Sequence, residues 1–185
     1  MTKSSKAPSI TNLIGALLII VALVSAGGLF YIASEYSKIS ETYVSVESYI
    51  SNVAIVRNNE TGIYNVTVSI VIDNPSPLDI EIYRIEYLTH ADFDTITLTE
   101  YDRDIGGSQT NKNNTVSSNS MLEMQVSHKV YPGSIYAQRL EYAMNGGNIT
   151  WIYVGGFVWF RISEYQDVMQ SLGIGNFYSV EVQNA

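Results

Sequence analysis

VTVSIVIDNPSPLDIEIYRIEYLTH, residues 66–90, holds two alternating apolar runs joined by Asn74-Pro75-Ser76-Pro77. Val66, Val68, Ile70 and Ile72 alternate with Thr67, Ser69 and Asp73, Val71 apart. This period of two places the first set on one buried face of a strand. Neither proline can donate to a ladder, and each pushes the residue before it out of helical space, so the strand ends at Asn74 and the chain turns. Leu78, Ile80 and Ile82 then alternate with Asp79, Glu81 and Tyr83, whereas Ile85 and Tyr87 sit on the other parity. A bulge near Tyr83-Arg84 is expected to absorb the extra residue.

The pattern continues on both sides. Residues 43–56, with Val44, Val46, Val53 and Ile55, predict a first strand. Asn58-Asn59-Glu60-Thr61-Gly62 supplies the turn into the next. After His90, residues 93–99 alternate Ile96 and Leu98 with threonines, as a short polar edge strand would. Residues 105–120 are rich in Gly, Ser, Asn and Thr and read as the longest loop. Leu122, Met124, Val126 and Val130 share one strand face, with His128 in the same phase. Tyr136, Leu140, Ala143 and Met144 have helical spacing after Pro132-Gly133, and Asn145-Gly146-Gly147 would end that short helix. Residues 149–162 are strongly apolar, with Gly155-Gly156 where a strand bends or a neighbour comes close; they are expected to form the central strand. Gly173-Ile174-Gly175 leads to a last strand bearing Tyr178, Val180 and Val182. About seven strands at this spacing predict a mainly β, antiparallel sandwich of the fibronectin/immunoglobulin kind with one short helix, not a parallel α/β sheet.

An alternating strand, Asn74-Pro75, a short turn and a second strand over 80–87 together resemble the Water-stress-and-Hypersensitive-response (WHy) domain, the atypical late-embryogenesis-abundant type. LEYAMNGGNITWIYVGGFVWFRI, residues 140–162, looks like that family's short helix, glycine turn and long glycine-interrupted strand. The likeness covers residues 43–182. It implies a fibronectin-like sandwich without a known active site, in a family whose members often carry an N-terminal membrane anchor.

The 185 residues suffice for one such domain and an appendage. Lys3 and Lys6 precede an uncharged apolar run over residues 13–33, about 30 Å long as a helix and so as thick as a bilayer's hydrocarbon core. A cleaved secretory signal is the alternative, since Val24-Ser25-Ala26 has the small residues of a processing site. The run continues through Leu29-Phe30-Tyr31-Ile32, longer than a signal core, which favours an anchor. Tyr31 and Tyr36 fall at the outer boundary, where amphipathic rings favour headgroups. Ala22, Ser25 and Ala26 form a small-residue stripe on which a second helix would pack closely, although such residues are common in spanning helices. All 18 acidic residues follow the run, against the 10 Lys and Arg less Lys3 and Lys6, so that part carries a charge of −10. The positive flank predicts a cytoplasmic N-terminus. The expected organisation is a cytoplasmic 1–12, a single-pass transmembrane helix 13–33, a stalk 34–42 and an extracytoplasmic domain 43–185 at the cell membrane. Its acidity argues against nucleic acid as a partner.

Chemistry-bearing motifs are sparse. The chain has no cysteine, which excludes disulfides, thiolate catalysis and cysteine metal sites. His90 and His128 lie in different strands, away from any metal-binding or serine-elbow pattern, and read as structural. Asp92, Asp94, Asp102 and Asp104 offer oxygen ligands for Ca²⁺, but their spacing matches no loop motif and a charged edge accounts for them. Gly106-Gly107 and Gly146-Gly147 lack the context of a phosphate loop and read as turns. No catalytic residue, metal, cofactor or small-molecule substrate is expected. Sequons at Asn59, Asn65, Asn113 and Asn148 are candidate glycosylation sites, a few of which chance would supply. The fourteen tyrosines suit half-buried strand positions or a partner surface. Asn74, Pro75 and Pro77 read as a structural turn, Asn74 bonding backbone groups that the prolines leave unpaired.

These features favour a membrane-anchored, non-enzymatic sandwich that works by contact with other membrane or envelope proteins, as an envelope component or an accessory subunit. The alternative is a pilin- or archaellum-associated filament or stator subunit, which shares the plan of apolar helix and β head. Lys6-Ala7 has some character of a prepilin cleavage site, but Pro8 after the cut departs from the pattern. A hydrolase or metal enzyme lacks an assembled constellation.

Overall fold

A single helix, α1 (Ile10–Ser45), carries the apolar run in a computed structural model that describes residues 10–91, 104–144 and 149–185. It is 36 residues long and, among the described residues, the one helix long and apolar enough to cross a bilayer. Leu17, Leu23, Val24, Leu29 and Phe30 are all exposed, so its apolar surface runs all round, as lipid contact requires. Lys38 pairs with Glu35 one turn earlier at 2.8 Å. The chain divides into two units, residues 1–40 and 41–185.

In the second unit the helix persists to Ser45, and the first strand starts later than its valines predict, at β1 (Glu47–Arg57). Thr42 and Val46 are buried, and the Tyr43 ring lies 5.9 Å from that of Phe160. Packing fixes this last turn as helix despite the β-branched Val44.

β2 (Tyr64–Asn74) pairs antiparallel with β1 and along its whole length with β5 (Ser120–Val130). β3 (Ile80–Ala91) pairs antiparallel with β4 (Asp104–Val116) and β6 (Ile149–Ile162), and β6 with β7 (Tyr165–Asn184). The strand order is β4-β3-β6-β7-β1-β2-β5, a nearly closed mainly β architecture of two layers. One join departs from the antiparallel expectation. The end of β7, Val182 to Asn184, runs parallel to Ile55 to Arg57 of β1 and so stitches the layers together.

Val66, Val68, Ile70 and Ile72 of β2 and Ile82, Ile85, Val154 and Phe160 of the other layer are all fully buried. The register of β3 shifts between Ile82 and Arg84, the expected bulge, which keeps Ile85 and Tyr87 inward after Ile80 and Ile82. β6 occupies its expected bounds at the centre of its layer.

Two expectations of where strands lie fail. Residues 105–116 are not a loop: they form most of β4, an edge strand whose outward residues meet water and need no apolar side chains. The last strand, expected after Gly173-Ile174-Gly175, begins earlier, and β7 runs through those residues. The expected strand over 93–99 and the Asn145-Gly146-Gly147 stop lie outside the described residues. α2 (Ile135–Met144) begins with the Ser134 hydroxyl accepting the Ala137 N–H and buries Ala137 and Leu140, while Tyr136, expected on the buried face, is exposed.

Candidate functional site

Along β6 the even positions Ile152, Val154, Val158 and Phe160 are buried, which turns Trp151, Tyr153, Phe157 and Trp159 to the outer face. Trp151 is 55%, Phe157 49%, Phe177 55% and Leu88 51% exposed. These values decide the point: an outer sheet face in water ordinarily alternates to polar residues, and this one does not. Tyr153 stands opposite Phe177 with ring centroids 4.9 Å apart and lies 6.2 Å from His90. Phe157 lies 6.3 Å from Trp159, and the Arg84 guanidinium sits 5.9 Å from the Trp159 ring. Arg84 also pairs with Glu86 at 2.7 Å, and Arg161 with Glu81 at 2.7 Å, so ion pairs border the aromatic row.

Glycine makes the middle of this face low. Gly155 stands opposite Gly175, and a Cβ on either would meet the Tyr153 ring or hydroxyl within 2.8 Å. The Tyr153 ring therefore lies flat over two bare backbones. Gly156 is approached by backbone, since a Cβ there would stand 2.1 Å from the Glu86 carbonyl oxygen and 2.7 Å from the Tyr87 Cα. Such an arrangement offers rigid aromatic edges around a shallow shelf, suited to a protein surface.

A second cluster lies inside, where β5 meets β3 and β4. His128 Nδ1 is 3.0 Å from the Tyr87 hydroxyl and Nε2 is 3.4 Å from the Thr89 hydroxyl. Gly106, at φ +121°, leaves the room that the imidazole fills, because a Cβ there would stand 2.8 Å from the ring. Burial pushes the His128 pKa below its ordinary value, against a hydrogen bond to the Ile105 backbone and the nearby Asp104 carboxylate. A neutral ring donating from Nε2 to a carbonyl and accepting the Tyr87 O–H at Nδ1 satisfies this network. Burial raises the Tyr87 phenol pKa far above its usual range, so it remains a donor.

The sign of the linkage follows. With the folded pKa below the unfolded 6.5, the stability from neutral His128 is complete above about pH 6.5 and drains as pH falls towards the folded value. Urea denaturation between about pH 8 and about pH 5 should show that loss in the native chain and lose it in His128→Gln. An identical slope in both chains would remove His128 as its source.

The other predicted residues fall in separate places. Asn74 is fully buried at the end of β2, and its Nδ2 donates to the carbonyls of Leu78 at 2.9 Å and of Val116 and Ser117 at 3.1 Å each. Its Oδ1 accepts the Ser76 N–H at 3.3 Å and the Ser76 hydroxyl. Pro75 and Pro77 are exposed on the same turn. Asn59 is exposed in the β1–β2 turn and Asn113 on β4; Asn65 is half-buried on β2. Asn148, with Asp92, Asp94 and Asp102, lies outside the described residues. Asp104 caps the Gly106 N–H at 2.8 Å. Ala22, Ser25 and Ala26 are exposed on α1. Among the described residues no group of three or more acidic or histidine side chains is placed to hold a metal. The aromatic face was missed in the sequence because both parities of 149–162 are apolar, and period-two reasoning is then silent about which side is buried.

No protein-family model matches the chain, and no curated protein matches it. Solved structures do. One is the solution structure of an Arabidopsis thaliana protein, at 15% identity and TM-score 0.53, covering 75% of this chain and 82% of that one. Another is that of a putative late embryogenesis abundant protein, at 13% identity and TM-score 0.49, covering 99% and 95%. A third is an Archaeoglobus fulgidus protein, at 12% identity and TM-score 0.46, covering 74% and 94%. The first likeness is one of fold alone.

Proposed function

We propose that this chain is a single-pass membrane protein of the WHy-like kind whose β domain lies outside the cell and works without catalysis, by docking another membrane or envelope protein. The observation that carries the reading is the exposed row of Trp151, Phe157 and Phe177 around the glycine shelf, on a domain joined to an exposed apolar helix. Aromatic anchors on a rigid sheet lose little entropy on binding, and the bordering ion pairs form a polar rim. The partner is a protein with a complementary apolar surface, such as an accessory or core subunit of a membrane assembly. Lys3 and Lys6 before the helix support a cytoplasmic N-terminus.

Two measurements test this. Protease added to intact, wall-stripped cells should remove residues beyond the helix, and protection of the domain would overturn the orientation. Affinity isolation from detergent-solubilised native membranes should recover a stoichiometric partner with the native chain. A Trp151→Ser, Phe157→Ser, Phe177→Ser chain that still folds should reduce that recovery about a hundredfold or more, because such anchors carry ~2 kcal/mol or more each. Undiminished recovery would place the contact elsewhere. Recovery of the chain as a filament cut after Lys6 would instead favour the pilin-like plan.

A further inference from the structure

We propose that His128 is an acid-released latch: neutral, its ring holds the far end of β4 against β5, and protonated it swings out and opens that corner while the rest of the domain stays folded. β4 and β5 are consecutive in the chain yet lie at the two ends of the strand order, and among the described residues no backbone ladder joins them. Where β4 passes into β5, the short connection ties the two together, and the Asn74 carboxamide pins it by the Val116 and Ser117 carbonyls. Away from that turn the imidazole bridges them. It packs on Gly106 of β4, where a Cβ would come within 2.8 Å of the ring, and it is bonded to the Ile105 backbone. Its two nitrogens reach the Tyr87 and Thr89 hydroxyls of β3, at 3.0 Å and 3.4 Å. The corner thus has a hinge at one end and a side chain at the other.

The β4 side of this corner is weakly held by its own ladder, because the register with β3 shifts between Thr89 and His90, opposite Gly106 and Asp104. Side chains complete it: the Thr89 hydroxyl donates to the Gly106 carbonyl at 2.7 Å, the Asp104 carboxylate accepts the Gly106 N–H at 2.8 Å, and Arg139 of α2 donates to the Asp104 carbonyl at 2.8 Å. Among the described residues, the titratable and charged groups around the ring are therefore Tyr87 from β3, Asp104 from β4 and Arg139 from α2, while β2 sets the apolar Val66 opposite His128. A proton on Nδ1 turns it into a donor facing the Tyr87 O–H, itself a donor, and buries a charge that the Asp104 carboxylate only partly offsets. His128 is half-buried, so the ring reaches water by rotating its own side chain. A ring in water titrates near 6.5 and the latched one lower, so the open form gains up to about tenfold on the latched form for each pH unit below about 6.5, until the latched ring itself takes up a proton.

Backbone hydrogen exchange of the full chain in detergent micelles, corrected for the intrinsic effect of pH on exchange, tests the latch. Between about pH 8 and about pH 5, exchange at residues 104–108 should rise roughly tenfold or more and stay indifferent to about 1 M urea, because a local opening exposes little new surface. Exchange in β2 and β6, which needs global unfolding, should be slower and should climb with urea. His128→Gln, neutral at both pH values, should abolish the acid rise at the corner. Tyr87→Phe removes the hydroxyl that donates to a neutral Nδ1 and opposes a charged one, so exchange at the corner should be faster already at about pH 8 and depend less on pH. Acid exchange at the corner that climbs with urea as steeply as in β6 is unfolding of the whole domain and overturns the proposal. So does an acid rise that persists in His128→Gln, and so does a Tyr87→Phe chain with the native profile.

Discussion

Asn74→Ala is expected to destabilise the β domain by about 3 kcal/mol, the cost of leaving the buried Ser76 N–H and the buried Val116 carbonyl short of their Asn74 partner. One carboxamide binds three carbonyls from two turns, Leu78 on one and Val116 and Ser117 on the other, and accepts both donors of the buried Ser76. The Val116 bond is buried, where water does not replace the lost donor, whereas the Leu78 and Ser117 bonds are only partly buried. The turns are also held by Asn119 N–H to the Ser76 carbonyl at 3.3 Å, Ser118 N–H to Asp79 at 2.8 Å, the Ser120 hydroxyl to the Ser117 carbonyl at 2.6 Å and the Ser76 hydroxyl to the Leu78 carbonyl at 3.1 Å. Urea denaturation followed through Trp151 and Trp159 fluorescence measures the change. Asn74→Asp keeps the size but sets an acceptor against three carbonyls, and should cost as much. Pro75→Ala with Pro77→Ala, both exposed, should cost only about 1 kcal/mol through the unfolded ensemble. A loss below about 1 kcal/mol for Asn74→Ala would show that the turns close without this side chain.

Gly156→Ala should cost about 3 kcal/mol, near the upper end for overpacking. The added methyl meets backbone, the Glu86 carbonyl and the Tyr87 Cα, and no flexible side-chain end can swing away. β3 must move, and with it the Tyr87 hydroxyl that holds His128 across the layers. Gly173→Ala on the adjacent strand is the control, because its Cβ would meet nothing within 4 Å. That change should stay within about 0.5 kcal/mol. Equal losses at the two glycines would mean that backbone freedom, not close approach, sets the requirement.

The parts of the fold legible in the sequence were those in which one face is buried and the other is not. Residues 66–74 gave strand, end and turn because their apolar parity is clean, and the parity switch between Ile82 and Ile85 located the bulge. β4 was illegible for the opposite reason, since an edge strand with outward Gln109, Asn111 and Asn113 carries the composition of a loop. The parallel join of β7 to β1 arises from coiling and has no local signature. The aromatic face was hidden by excess, apolar residues occupying both sides of β6. For Asn74 the residue type and the prolines pointed to a local turn, while its reach to Val116 and Ser117, more than forty residues on, comes only from the fold.

The placement of β1 has a mechanical consequence. It is the first strand of the domain, continuous with α1, yet it lies inside the sheet, between β7 and β2. The last residue is sewn in beside it, Ala185 donating to the Arg57 carbonyl at 2.9 Å and accepting from Asn59 at 2.8 Å. Drawing β1 out of the domain therefore means breaking its ladder with β2 on one side and its join to β7 on the other. A strand at the sheet's margin would have only one ladder to break. A domain tethered in this way resists being drawn out by its own tether.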